Sequence, residues 1–373
     1  MKIASYNIQN LFHRNRSLVE KNFSKNVSNW FSELDALMKL DEHSTTHRDR
    51  IQELLFLVGF EKAHHTPYAV MRKRGGFLYF KSKPVHNELM ANELTNWNGW
   101  TALKTQPISD ISTRNKARVI TDINPDILVL QEVEDRYSWN DFNTQFLPAE
   151  DLEIFKKAML VSGRTDLGLE CGIAVKNNFV IQNLTVHEFQ NVQEQAIEFY
   201  EYHLKSSSGH QIAFILAQLQ EATLEKELSD NVRKHQAQEL ANLYLDLTQR
   251  GCQEIIVTGT FNAASYCNSL APLLRETNLK DITRHESFNV DVDLGRDASY
   301  YRMGAYKMGV NIKQKDYMLL SPKLFQNLKR AGLNRKGMWP SNKPEWSIYP
   351  NIKNKSQAAS EHPALWCEIN DHY

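Results

Sequence analysis

Charge of one sign is the first thing this sequence lacks: 44 basic residues balance 44 acidic ones, for a formal net charge of zero. No whole-molecule field therefore steers it toward a polyanion, and any nucleic-acid contact has to be a local patch. Cysteine is scarce. The four, Cys171, Cys252, Cys267 and Cys367, form no C-x-x-C pair, which excludes a disulfide scaffold and a thiolate zinc site and leaves reduced, mostly buried thiols. No apolar run approaches the ~18 residues needed to cross a bilayer. The opening MKIASYNIQNLF is too short an apolar stretch for a signal h-region, so a soluble, cytoplasmic protein is expected. Internal repeats and low-complexity tracts are missing too, which argues against a second domain joined by a linker.

What is present reads as an ordinary globular chain, with 42% hydrophobic and 24% charged residues. Lys2 to Ile8 reads as a buried strand that opens on polar Gln9 and Asn10. Val27 to Leu40 and Arg50 to Phe60 carry helical spacing, with Ile51, Leu54, Leu55 and Val58 on one face. Thr66 to Lys83, broken at Gly75-Gly76, predicts a hairpin. Arg114 to Ile123 predicts a helix, and ILVLQEVE, Ile127 to Glu134, a central strand ending in carboxylates. Strands follow at Gly172 to Val175, Phe199 to Leu204, Gln211 to Leu219, Glu254 to Gly259, Asp316 to Leu320 and Ala364 to Ile369, with a helix over Leu224 to Leu247. Strands in succession with few crossover helices predict a four-layer α/β sandwich, two packed mixed sheets flanked by helices. The expected organisation is one domain over residues 1–373, with a mainly helical plus hairpin insertion at about 13–113.

Five apolar runs end in metal- or proton-competent side chains: SYNIQN, LVLQEVE, VTGTFN, KQKDYMLLS and SEHPALW. Glu132 ends the most apolar of them, where an ionised oxygen is costly unless paired or metal-bound, and a hard oxygen suits Mg²⁺ or Mn²⁺. His362 is the acid–base candidate because imidazole exchanges protons near neutral pH, and Asp316 could orient it and stabilise its charge. Glu134 is expected to be a neighbouring surface charge.

Together, and in this order, the five stretches resemble the endonuclease/exonuclease/phosphatase superfamily. NPDILVLQEVE is the most specific of them, and S-E-H-P is close to that family's S-D-H motif. The resemblance covers the N-terminal strand and most of residues 114 to 370. It implies that Glu132 is the principal metal ligand, that Asn7 lies beside the metal, and that Glu361, in place of the usual Asp, keeps a carboxylate for the metal with altered reach. Gln9 falls where relatives have an acidic residue or Gln, and it would contribute behind the ligands. The resemblance also implies that His362 meets the scissile phosphate, with Asp316 as its partner, and that Asn262 binds a phosphoryl oxygen. Arg164, in SGRTD, is similar to an R-G-I-D arginine of some relatives.

Two family positions are substituted. Thr260 stands where relatives carry the Asp that holds or activates the attacking water, and Gln218 stands where a His or Tyr assists the leaving group. A glutamine cannot give up a proton at neutral pH.

Two stretches combine cations with aromatics, a composition that suits a nucleic-acid contact; the first is expected to be a solubilising loop over packed aromatics, the second a substrate contact. They are Met71 to Lys83 and Lys329 to Lys355, the second including Arg335, Lys336 and Trp339 just ahead of Glu361 and His362. The expected activity is a metal-dependent phosphodiesterase or nuclease using Mg²⁺ or Mn²⁺ on a nucleic acid or nucleotide-like ester. The alternatives are a catalytically weakened relative that binds a phosphate-bearing ligand or a protein, and a lipid or inositol-phosphate phosphatase. The expected partner is a phosphate-bearing substrate; no membrane-surface helix is visible, and nothing in the sequence points to a protein partner.

Overall fold

The computed structural model describes residues 1–14, 25–58, 69–73, 77–79, 95, 99–103, 106–162, 170–190, 196–290, 314–340 and 346–370. By contact density the chain divides into two compact units: Met1–Gln9, Asp110–Val133 and Phe142–Tyr373 form one, Asn10–Ser109 and Glu134–Asp141 the other.

The first unit is a sandwich of two mixed sheets, as the strand pattern predicted. In chain order its strands and two longest helices are β1 (Lys2–Asn7), α1 (Asp110–Ile123), β2 (Ile127–Val133), β3 (Lys157–Ser162), β4 (Glu170–Val175), β5 (Phe179–Gln190), β6 (Ala196–Ser206), β7 (Gln211–Gln218), α2 (Lys226–Gln249), β8 (Ile255–Thr260), β9 (Lys280–Asp281), β10 (Phe288–Asn289), β11 (Asp316–Leu320), β12 (Leu328–Asn334) and β13 (Ala364–Ile369). The seven-stranded sheet runs β10-β12-β13-β1-β2-β4-β3 and the six-stranded sheet β5-β6-β7-β8-β11-β9. β1 lies parallel to β2 and antiparallel to β13, while β8 lies parallel to β7 and antiparallel to β11.

Side chains alternate along each strand, and here both faces are covered, so the central strands read as continuous apolar runs. Ile3, Val129, Phe214, Ile256 and Met318 belong to the cluster between the sheets. Their neighbours Ile215, Val257 and Leu319 face outward against Ala237, Leu240 and Tyr244 of α2. Gly259 allows β7 and β8 to close up at their ends: its φ is +153°, and a Cβ there would lie 1.8 Å from the Ala217 carbonyl oxygen.

β3, β5 and β12 are not among the strands expected from the sequence. β5 is an edge strand with many exposed side chains, and β12, LKRAGLN, takes up the start of the stretch that its lysine and arginine mark as a basic loop. Arg330, on β12, is paired with Glu368 of β13 at 2.5 Å. The four thiols are free, but only Cys367 is buried; the other three are partly exposed.

In the second unit, helices Lys25–Met38 and Thr45–Leu57 accompany a three-stranded antiparallel sheet of Phe77–Tyr79, Ala69–Lys73 and Gly99–Leu103. Ser44 caps the second helix by accepting the His47 amide, and Arg50 holds Glu33 through both carboxylate oxygens at 2.7 and 2.6 Å. The outer strand, Gly99–Leu103, carries no sequence signal. Glu134 is not the surface charge its neighbours implied. It is 5% exposed, and its carboxylate accepts the amides of Leu11 and Phe12, both at 2.5 Å, which repays its desolvation.

Candidate active site

The alternation that builds the core also builds the site. Continuing the inward-facing set of each strand to its last member gives Asn7 on β1, Gln131 on β2, Gln218 on β7, Thr260 on β8 and, at the start of antiparallel β11, Asp316. Five strands thus deliver a polar side chain to one end of the cleft between the sheets.

Glu132 breaks the alternation. It follows Gln131 and would otherwise face outward, but its φ of +56° and the irregular register between Leu130 and Val133 turn its carboxylate toward Asn7. A left-handed backbone at a residue with a side chain costs on the order of 1–3 kcal/mol and collects at functional positions. Gln9 and Asn262, at φ +48° and +55°, share this conformation in the segments beside it.

The side chains form one network. The Asn7 amide donates to Glu132 Oε1 at 2.8 Å and to Thr260 Oγ1 at 3.1 Å, and Gln218 donates to the same Glu132 oxygen at 2.8 Å. The Thr260 hydroxyl donates to Asp316 Oδ1 at 2.8 Å, and His362 Nδ1 lies 2.9 Å from each Asp316 oxygen. Gln131 Oε1 accepts the Thr260 amide at 2.9 Å. Burial by itself would lower the His362 pKa, but the charge and hydrogen bond of Asp316, with the charge of Glu132, outweigh it and hold the imidazole above its ordinary value.

That shift fixes a pH dependence. A pKa raised on folding contributes stability that is fully present below the ordinary value of 6.5 and is lost as pH rises through the folded pKa. The thermal stability of the wild type relative to Asp316→Asn should therefore be greatest near ~pH 6 and shrink toward alkaline pH. Paired melting curves across that range test this, and an advantage that grows with pH would reverse the assignment.

The His362 segment is held from below. Ser360 Oγ donates to the Asn7 carbonyl at 2.8 Å and accepts the His362 amide at 3.1 Å, and Gln9 Oε1 accepts the Glu361 amide at 2.7 Å. Gln131 and Ser360 have no signal as site residues in the sequence. Gln131 is recoverable only by counting the alternation from Ile127 and Val129.

The remaining candidates fall in different surroundings. Asn262 gives one amide hydrogen to the Leu219 carbonyl at 2.8 Å. The Glu361 carboxylate is 54% exposed and paired with Lys355 at 2.6 Å. Arg335 stacks over the Trp346 ring at 4.8 Å, Lys336 lies 3.4 Å from Asp122 of α1, and Trp339 is partly exposed. Arg164 lies outside the described residues.

Among the described residues no three His, Cys, Asp or Glu side chains gather as a metal group. Both Asp316 oxygens are taken by His362, whereas Glu132 Oε2 accepts no hydrogen bond among the described residues. A single free carboxylate oxygen beside amide groups fits a magnesium-like ion, which is usually bound through one or two carboxylates, water and substrate phosphate.

Neither a family model nor a curated protein matches this sequence. Among solved structures, a mannosyl-6-phosphatase of Bacteroides thetaiotaomicron is similar over 70% of this chain and 91% of its own, at 15% identity and a TM-score of 0.48. An endonuclease/exonuclease/phosphatase family protein of the same organism matches over 69% and 88%, at 16% identity and 0.46. The human Nocturnin catalytic domain matches over 68% and 84%, at 17% identity and 0.46. At these identities and TM-scores the likenesses carry no activity over to this chain.

Proposed function

We propose that this chain is a slow phosphoester hydrolase, acting on a nucleic acid or nucleotide-like phosphodiester with Mg²⁺ or Mn²⁺ held at Glu132. The observation that carries the reading is the buried Asp316–His362 pair, linked through Thr260 and Asn7 to Glu132. Asp316 binds Nδ1, so Nε2 is the nitrogen left to meet a substrate, and the upward pKa shift favours its protonated, donating form. In its protonated form Nε2–H can hydrogen-bond a phosphoryl oxygen as negative charge builds on it. The second amide hydrogen of Asn262 can bind another oxygen of the same group. A divalent cation at Glu132 would supply Lewis-acid stabilisation of the phosphoryl oxygens.

The substitutions set the rate. The Thr260 hydroxyl is spent between Asn7 and Asp316, and Gln218 between the strand end and Glu132. Neither is a base for the attacking water. Hydrolysis of single- and double-stranded DNA, RNA and a nitrophenyl phosphodiester should be metal-dependent, abolished by chelation and lost in Glu132→Ala together with the calorimetric signal for Mg²⁺ or Mn²⁺. Wild-type hydrolysis that survives both chelation and Glu132→Ala would sink the proposal. No hydrolysis of any ester, with retained binding of a phosphate-bearing ligand, would favour the weakened binding protein.

A further inference from the structure

Helix α1 has a buried stripe whose composition its packing does not explain. At the spacing i, i+3, i+4 that puts side chains on one face, it carries Ser112, Asn115 and Lys116, all 1% exposed or less, where the next turns of the same stripe carry Val119, Ile120 and Ile123. Burying an ammonium group is costly unless its hydrogens are used. Here each of the three residues meets a backbone carbonyl of one short segment, in sequence. Asn115 Nδ2 donates to Gln357 O at 3.0 Å, Ser112 Oγ to Ala358 O at 2.5 Å, and Lys116 Nζ to Ala359 O. Lys116 Nζ also donates to Ile8 O at 2.8 Å.

Ala359 is followed directly by Ser360, Glu361 and His362, and Ile8 sits between Asn7 and Gln9. The ammonium group therefore joins the segment that carries the imidazole to the segment of Asn7, whose amide donates to Glu132, and Gln9, whose side-chain oxygen accepts the Glu361 backbone amide. From there the hydrogen bonds of Ser360 to Asn7 and of Gln9 to Glu361 continue the connection to the His362 amide.

We propose that Lys116, supported by Ser112 and Asn115, is a positioning residue that holds the His362 segment in register with the end of β1. The hydrocarbon stem packs as any buried side chain would, while the charge fixes two backbone carbonyls that no apolar residue could hold. The alternative, a lysine retained only for stability, predicts a different response when the ammonium is removed.

The test is Lys116→Met, which keeps length and volume, compared with Leu240→Ala, a cavity under α2 remote from these segments. Amide hydrogen exchange is read at Glu361 and His362 and at the amides of β7 and β8. The proposal expects exchange at Glu361 and His362 to rise about tenfold or more in Lys116→Met with the β7 and β8 amides unchanged, because a local opening replaces a global one. Leu240→Ala should accelerate the β7 and β8 amides and spare those two. Unchanged exchange at Glu361 and His362, or a uniform acceleration like that of a global loss, overturns it. Should Lys116→Met not fold, Ser112→Ala is read at the same two amides, and protection equal to wild type there overturns the proposal as well. A second arm rests on the hydrolase reading: kcat on the phosphodiester should fall at little changed KM. If the wild type hydrolyses nothing, that reading fails while the exchange result still decides the role of Lys116.

Discussion

Replacing His362 with alanine is expected to lower phosphoester hydrolysis by about 10²–10⁴-fold, the usual worth of a positioned acid–base group. The loss should fall on kcat, because the imidazole is needed where charge develops and not where substrate is first held. The variant also removes the cationic partner of Asp316. That carboxylate is 10% exposed and would keep only the Thr260 hydroxyl among the contacts described for it. Breaking a buried ion pair by removing one partner destabilises by roughly 3–5 kcal/mol at the extreme, so activity must be compared at a temperature where both proteins remain folded. His362→Gln, which can still reach Asp316 through an amide, serves as the control that separates folding from chemistry. Equal activity in wild type and both variants would mean that the proton-transfer group lies elsewhere.

The second large effect is expected at Thr260. Its hydroxyl donates to Asp316 Oδ1 at 2.8 Å and accepts from Asn7 at 3.1 Å. An aspartate in its place would set two carboxylates against each other, and like charges that close cannot both ionise without cost. Without metal, Thr260→Asp should therefore be less stable than wild type by about 1–3 kcal/mol. A divalent cation held by this set of carboxylates would offset that cost. At a hundredfold excess over its Kd a ligand stabilises by about 2.7 kcal/mol, so Mg²⁺ should restore the melting temperature and turnover should rise at least ~10-fold over wild type, as a carboxylate becomes available to the attacking water. A melting temperature indifferent to Mg²⁺, with turnover no higher than wild type, would remove the metal from this end of the cleft.

Sequence alone determined the layers and most of the site's inventory. Continuous apolar runs ending in polar residues are what strands buried on both faces must look like, and Asn7, Glu132, Thr260, Asp316 and His362 stand at the ends of those runs or just beyond. The resemblance singled out Glu132, but spacing alone put Glu134 on the same face, since two carboxylates two residues apart on an extended strand point the same way, and it gave no sign that Glu134 is buried. The left-handed turn at Glu132 separates the two: one carboxylate joins the Asn7 and Thr260 network, and the other accepts the Leu11 and Phe12 amides. β5, FVIQNLTVHEFQ, is rich in β-branched and aromatic residues and is legible as a strand, whereas Lys329, Arg330 and Gly332 mask β12, which its backbone hydrogen bonds hold in the sheet. The buried stripe of Ser112, Asn115 and Lys116 likewise reads as a solvent face until the 357–359 carbonyls are set against it. Side-chain type and spacing are local properties that a sequence displays. Which polar groups lose their water, and which partner repays them, depends on segments more than a hundred residues apart meeting in space, and only the tertiary structure decides that.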